Sequence, residues 1–306
     1  MAGIKFYNWQ MGLALTLAVA LIGFATSQEK AQPLADIRLP ETSPVKQNSA
    51  QQSQTKPTTI SQIKFKRPPL SPRGAPGNRK GGGTRDGYSC SALEIKERLM
   101  ALVPAVELEP EISNVWGLTL EASPTLWFYI PYQPQDIKVG ELEIWDETAK
   151  EPKKHQQIYQ GTFTVTNTPG AISLALPSTV KLEPEKNYHW YLNLNINCGR
   201  EAQVVNVNGW IQRVALNNNS PLQASGDRLP ARRSGDLNRV IMYAENGIWY
   251  DAITLLAQMR HRHPQTKTFV TDWQKLLGDI GLEEFANKPI VPCCKLEAGA
   301  RLNLKK

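Results

Sequence analysis

From Val115 to Val214 apolar residues return at every second position. Leu126, Phe128 and Ile130 mark one run, Leu142 and Ile144 another, and Ile172, Leu174 and Leu176 a third. The clearest run is Tyr188, Trp190, Leu192, Leu194 and Ile196, interleaved with His189, Tyr191, Asn193, Asn195 and Asn197. A period of two predicts strands with one buried and one wet face. Turn-forming residues fall between the runs, at Ser123-Pro124, Thr168-Pro169-Gly170 and Glu183-Pro184. About seven short strands at this spacing predict an antiparallel, immunoglobulin-like β-sandwich over residues 89–220.

Beyond Pro221 the period lengthens. Leu237, Val240, Ile241 and Ala244 share one helical face, with Asp236 placed to cap it and Asn246-Gly247 to end it. Ile248, Ala252, Leu255, Leu256 and Met259 predict a second helix that stops before Pro264, and Phe269, Trp273, Leu276 and Leu277 a third. The stretch from Tyr243 to Pro264 is similar to one helix-turn-helix unit of a tetratricopeptide repeat. One such unit cannot bury its own face. The reading is therefore α+β, with a helical hairpin in residues 221–306 packed against the sandwich.

The N-terminus changes the picture of location. Lys5 precedes a fifteen-residue apolar run from Met11 to Ala25, and the chain turns polar at Ser27-Gln28-Glu29. A bilayer crossing needs about 20 apolar residues, so the run fits a signal peptide of residues 1–27 cut between Ser27 and Gln28. An uncleaved anchor is the alternative. Export, to a periplasm, a thylakoid lumen or the outside, is the expected localisation.

Charge is concentrated just after this segment. The whole chain carries +7, of which residues 28–88 account for +7 and Lys5 for +1, which leaves −1 for the rest. Residues 28–88 are also rich in Pro, Gln and Gly, and their apolar residues are scattered. Such a segment buries too little surface to offset chain entropy. It is read as a disordered basic linker that can touch an anionic envelope polymer or a membrane surface, and its deletion from Gln28 to Arg79 is expected to leave folding nearly unchanged. Nucleic acid is not an expected partner of an exported chain.

Candidate chemistry is sparse. Gly77-Asn78-Arg79-Lys80-Gly81-Gly82-Gly83-Thr84 has the wrong spacing for a phosphate-binding loop. No GxSxG, HExxH or EF-hand pattern occurs, and His261 and His263 do not share a helix face. No cofactor and no metal are expected. Glu141, Glu143, Asp146, Glu147 and Asp251 offer material for an acid/base pair acting on glycosides, without two being singled out. Trp127, Trp145 and Trp190 fit either a sugar-stacking platform or a core. Trp249 and Tyr250, adjacent at a helix start, are the candidate partner surface. Of the four cysteines, Cys90 and Cys198 are the expected disulfide. Cys293 and Cys294 are adjacent, so a bond between them closes a strained ring and is the less favoured pairing.

The ordered wording of the chain resembles a known family. Arg79-Lys80-Gly81-Gly82-Gly83-Thr84-Arg85, Leu102-Val103-Pro104, Gly117-Leu118-Thr119 and Pro124-Thr125-Leu126-Trp127-Phe128-Tyr129-Ile130-Pro131-Tyr132 carry the likeness. Tyr188-His189-Trp190-Tyr191, Gly209-Trp210-Ile211-Gln212-Arg213-Val214 and the segment from Tyr243 to Ala252 continue it. Together they resemble the domain-of-unknown-function 928 family. The resemblance implies a cyanobacterial source and export, and brings no catalytic or binding residue with it. Cys293-Cys294 lies outside the recognised wording. Two functions follow as expectations: an exported, non-catalytic module binding a protein or cell-wall partner, or a secreted hydrolase acting on polysaccharide or peptidoglycan through carboxylates.

Overall fold

The run from Tyr188 to Ile196 is the middle of a twelve-residue strand, β9 (Asn187–Cys198). Tyr188, Trp190, Leu192, Leu194 and Ile196 are each at most 2% exposed, so the predicted buried face is the observed one. β9 pairs antiparallel with β6 (Ile137–Asp146) on one side and β10 (Glu201–Arg213) on the other. These are strands of a computed structural model that describes residues 63–69, 76–82, 97–109, 112–198, 201–215 and 233–297. The described residues all belong to one compact unit.

The remaining strands are β1 (Pro76–Gly82), β2 (Met100–Ala101), β3 (Ala105–Glu109), β4 (Ile112–Thr119), β5 (Thr125–Ile130), β7 (Gln156–Phe163) and β8 (Gly170–Ala175). They join into a single sheet in the order β7-β6-β9-β10-β4-β1-β2-β5-β8, with β3 hung on β4. The sheet curls into a half-barrel rather than splitting into the two facing sheets of the expected sandwich. One contact also departs from the antiparallel expectation, since β10 and β4 run parallel from Trp210↔Trp116 to Arg213↔Thr119.

The reason for both departures is β1. It pairs with β4 and β10 and also with β2, stitching what would be two groups of strands into one. β1 comes from the segment that composition assigned to a linker. Three of its seven residues are glycine, and at Gly77 and Gly81 there is little room for a side chain. A Cβ on Gly81 would stand 2.9 Å from the Leu99 Cβ and 3.0 Å from Val205, so glycine lets the backbones approach. Residues 63–69 are also part of the fold. Ile63 is 1% exposed, Phe65 packs edge-to-face on Trp249 at 4.9 Å, and the Lys66 amide donates to the Ala244 carbonyl at 3.0 Å. The linker reading is therefore corrected for residues 63–69 and 76–82, and so is the expectation that everything up to Arg79 is dispensable.

Three helices follow: α1 (Arg233–Glu245), α2 (Trp249–Arg262) and α3 (Lys267–Gly278). α1 begins three residues before Asp236, which sits in the first turn rather than at the cap. Gly247, at φ +73°, turns the chain into α2 as the sequence suggested. The helices and the sheet share one hydrophobic core. The third helix is the one the sequence predicted, and the helices pack on the sheet as expected, but no tetratricopeptide repeat is shown among the described residues. No described helix is long and apolar enough to cross a membrane.

Candidate functional site

The wet face of β6, β9 and β10 is ordered in rows by strand register. Trp145, His189 and Trp210 form one row, Glu143, Tyr191 and Asn208 the next, and Glu141, Asn193 and Asn206 the third. Alternation along each strand sends these side chains away from the core that holds Trp190, Leu192 and Leu194. Aromatic rings, amides and carboxylates thus lie side by side on one surface.

Hydrogen bonds fix the members of these rows. The Trp145 indole N–H (2.9 Å) and the Gln157 amide (2.8 Å) both donate to Glu143 Oε2, and Gln160 donates to Glu141. His189 Nε2 lies 3.0 Å from Asn208 Oδ1, and the Tyr191 hydroxyl lies 2.7 Å from His189 Nδ1. That arrangement suits a neutral ring with its proton on Nε2. Burial lowers the His189 pKa, which agrees with the neutral form. The ring is clasped between Trp210, stacked at 4.3 Å, and Tyr191 at 4.1 Å. Glu147, just past β6, stands 3.3 Å from His189 Nδ1 and 3.7 Å from His155 Nδ1. Above this network lies a shallow hollow of about 420 Å³ lined by Glu143, Trp145, Glu147, His155, Tyr191 and Asn193, with Pro152 at its edge.

A second concavity lies beside α2. Asp251 is 7% exposed and accepts the Thr119 hydroxyl at 2.7 Å and the Leu120 amide at 3.2 Å. Burial pushes its pKa up to about 7, against the pull of those two donors. It borders a polar cavity of about 300 Å³ that also holds Glu121, Arg239 and Tyr243. Thr125, Thr254 and Gln258 line both this cavity and a neighbouring cleft of about 520 Å³, whose walls include Trp127, Ile290 and Val291. The carboxyl lies on the first turn of α2 and holds it to the end of β4.

The candidate residues of the sequence therefore divide. Glu141, Glu143, Asp146 and Glu147 lie together on or just past β6, while Asp251 lies apart in the α2 cavity. Of the three tryptophans, Trp145 is half-buried on the wet face, whereas Trp127 and Trp190 belong to the core. Trp249 and Tyr250 are not a partner surface. They are 0% and 3% exposed, and their polar atoms are spent inside: Trp249 Nε1 donates to the Leu102 carbonyl, and Tyr250 Oη accepts from Trp190 Nε1. Adjacent aromatics at the start of α2 are both buried because that helix end is wedged against β4 and the Leu102 segment.

Ser27, Gln28 and Cys90 lie outside the described residues, as does the side chain of Cys198, so the expected bridge does too. Cys293 and Cys294 are bonded to each other, the bond that the sequence disfavoured, and this is compatible with a Cys90–Cys198 bridge. His261 lines the apolar cleft, and no metal-binding group of three or more His, Cys, Asp or Glu occurs among the described residues. Sequence reasoning did not select Tyr191, Asn193, His155 or Trp210. The alternation in β9 carried the signal for the first two, and the other two needed the strand register and a turn.

A comparison with family models matches residues 80–290 to the Domain of Unknown Function (DUF928) model. The chain belongs to the DUF928 family. The DUF928 match runs from Lys80 in β1 to Ile290, so it contains both the wet face and the α2 cavity. Cys293 and Cys294 fall beyond it. No curated protein matches the chain.

Proposed function

We propose that the chain is an exported, non-catalytic module that holds a cell-wall glycan on the outer face of β6, β9 and β10. The observation that carries this is the set of rows, in which Trp145 and Tyr191 stand beside Glu141, Glu143, Asn193 and Asn206. Sugars present an apolar ring face and a rim of hydroxyls. A flat aromatic with neighbouring amide and carboxylate groups meets both without a deep pocket. The basic residues Lys64, Lys66, Arg67, Arg73, Lys80 and Arg85 add long-range attraction to an anionic envelope polymer.

Pull-down of the protein on insoluble peptidoglycan and chitin tests the reading. The expected result is retention that Trp145→Ala and Tyr191→Ala each weaken about tenfold, near 1.4 kcal/mol, with melting little changed. Retention that ignores both substitutions would overturn it. Export has its own check, because N-terminal sequencing of the protein from its native host should find Gln28 first. A chain beginning at Met1 in the membrane pellet would instead mark residues 11–25 as an anchor.

A carboxylate-dependent hydrolase is the second reading, and Asp251 is the observation in its favour. A carboxyl that keeps its proton up to about pH 7 is suited to donate it to a leaving group, and Glu121 lines the same cavity. Release of new reducing ends from a soluble glycan, abolished by Asp251→Asn, would favour this reading over the first.

A further inference from the structure

The hollow on the wet face has a composition that is one-sided in charge. Two carboxylates, Glu143 and Glu147, line it together with Trp145, Tyr191, His155, Asn193 and Pro152, and among the described residues no Lys or Arg lines it. The donors that hold Glu143 are the neutral N–H groups of Trp145 and Gln157, which orient the carboxylate without cancelling its charge. His189, beside Glu147, is held toward its neutral form by burial, so it offsets little of that second charge. Lys186 is engaged elsewhere, at 3.1 Å from both Asp146 and Glu183. The short turn that supplies Pro152 carries Lys153 and Lys154, both exposed, and Lys154 pairs with Glu151.

We propose that this hollow selects a glycan bearing a free ammonium group, an amino sugar that is not acetylated, an inference that rests on the glycan reading above. The ammonium sits between Glu143 and Glu147, with the Trp145 indole beside it. An indole face attracts a cation through its quadrupole, and the two carboxylates add attraction at short range. The sugar ring stacks on Tyr191 while Asn193 bonds a hydroxyl. Uronate or sulfated sugars meet like charge at the same place and are turned away. Because the hollow is shallow and open, the preference for the cation weakens as salt is added.

The test is calorimetric titration of the purified protein with two tetramers that differ only at the amine, glucosamine tetramer and N-acetylglucosamine tetramer, at low salt and below the pKa of the amine. The expected result is about tenfold tighter binding of the free amine, near 1.4 kcal/mol. Glu143→Gln should bring the ratio close to one, because it weakens binding of the free amine more than binding of the acetylated tetramer. Equal affinity of the wild type for both tetramers would overturn the ammonium preference and leave the glycan reading standing. No heat from either tetramer would overturn both. A preference that survives in Glu143→Gln and in Glu147→Gln, each melting like the wild type, would place the amine elsewhere and overturn the assignment to this hollow.

Discussion

Phe65→Ala is expected to destabilise the fold by about 3–5 kcal/mol, the usual cost of truncating a buried aromatic. Phe65 is 7% exposed and meets Trp249, itself fully buried, edge-to-face at 4.9 Å. Its amide donates to Asp279 Oδ2 at 2.8 Å, and the next amide, of Lys66, donates to the Ala244 carbonyl. The segment is therefore held by main chain and side chain together. Ile63, 1% exposed, should add a loss of about 2–4 kcal/mol when cut to alanine. Lys64→Ala, at an exposed position of the same segment, should stay within about 0.5 kcal/mol. Thermal melts read these as a drop on the order of ten degrees for Phe65→Ala and almost none for Lys64→Ala. A deletion of residues 28–79 also removes four residues of β1 and should abolish cooperative unfolding. If that deletion melts like the full chain, residues 63–69 and 76–79 do not dock and the single curled sheet is wrong.

That experiment bears on why part of the fold was legible and part was not. In β9 each apolar side chain is buried by its own side-chain packing, so the alternation from Tyr188 to Ile196 declares the strand. In β1 the buried groups are the backbone and Gly81, whose missing side chain is what lets Leu99 and Val205 close in. No periodic apolar signal arises from such a strand, and a composition average over residues 28–88 reads it as linker. Losing β1 from the reading also divides the sheet, because among the described residues β1 and β2 link β4 to β5 in the strand order. A sandwich of two sheets is what remains when that path is omitted.

The site follows the same logic. His189, Tyr191 and Asn193 were placed on a wet face by alternation alone. Their neighbours Trp145 with Trp210, and Glu143 with Asn208, are set by register between strands far apart in sequence. His155 enters from a turn after the strand it completes. Trp249 and Tyr250 show the converse failure. Two adjacent aromatics at a helix start look exposed when the helix is considered by itself, but Leu102, Trp190 and Trp210 supply the partners that bury them.

Asp251 should make folding weaken as the pH rises. Its carboxyl titrates at about 7 in the folded chain, against about 4 when unfolded. Between those values the folded state keeps a proton that the unfolded state has released, so stability falls with each step up in pH. Over the whole window the loss is on the order of 4 kcal/mol. It is absent below about pH 4 and complete above the folded value. Other groups bend the total profile. His189 is lowered by burial, so the unfolded state takes up its proton first and stability drops on the acid side of about pH 6.5. Asp146 and Glu97 are held low, and their contributions are lost only below about pH 4. The difference between wild type and Asp251→Asn isolates the one group. The amide oxygen of Asn can still accept from the Thr119 hydroxyl and the Leu120 amide, so the two proteins should be within about 1 kcal/mol of each other near pH 5. Near pH 8 the variant should be the more stable by a few kcal/mol, because it has no charge to bury. Glu121→Gln should shrink the wild-type slope, since the charge of Glu121 helps to raise the Asp251 pKa. Denaturant midpoints measured across this range decide the matter. Parallel profiles for wild type and Asp251→Asn would mean that the carboxyl titrates as an ordinary one, and that neither its burial nor a catalytic proton at neutral pH can be assigned to it.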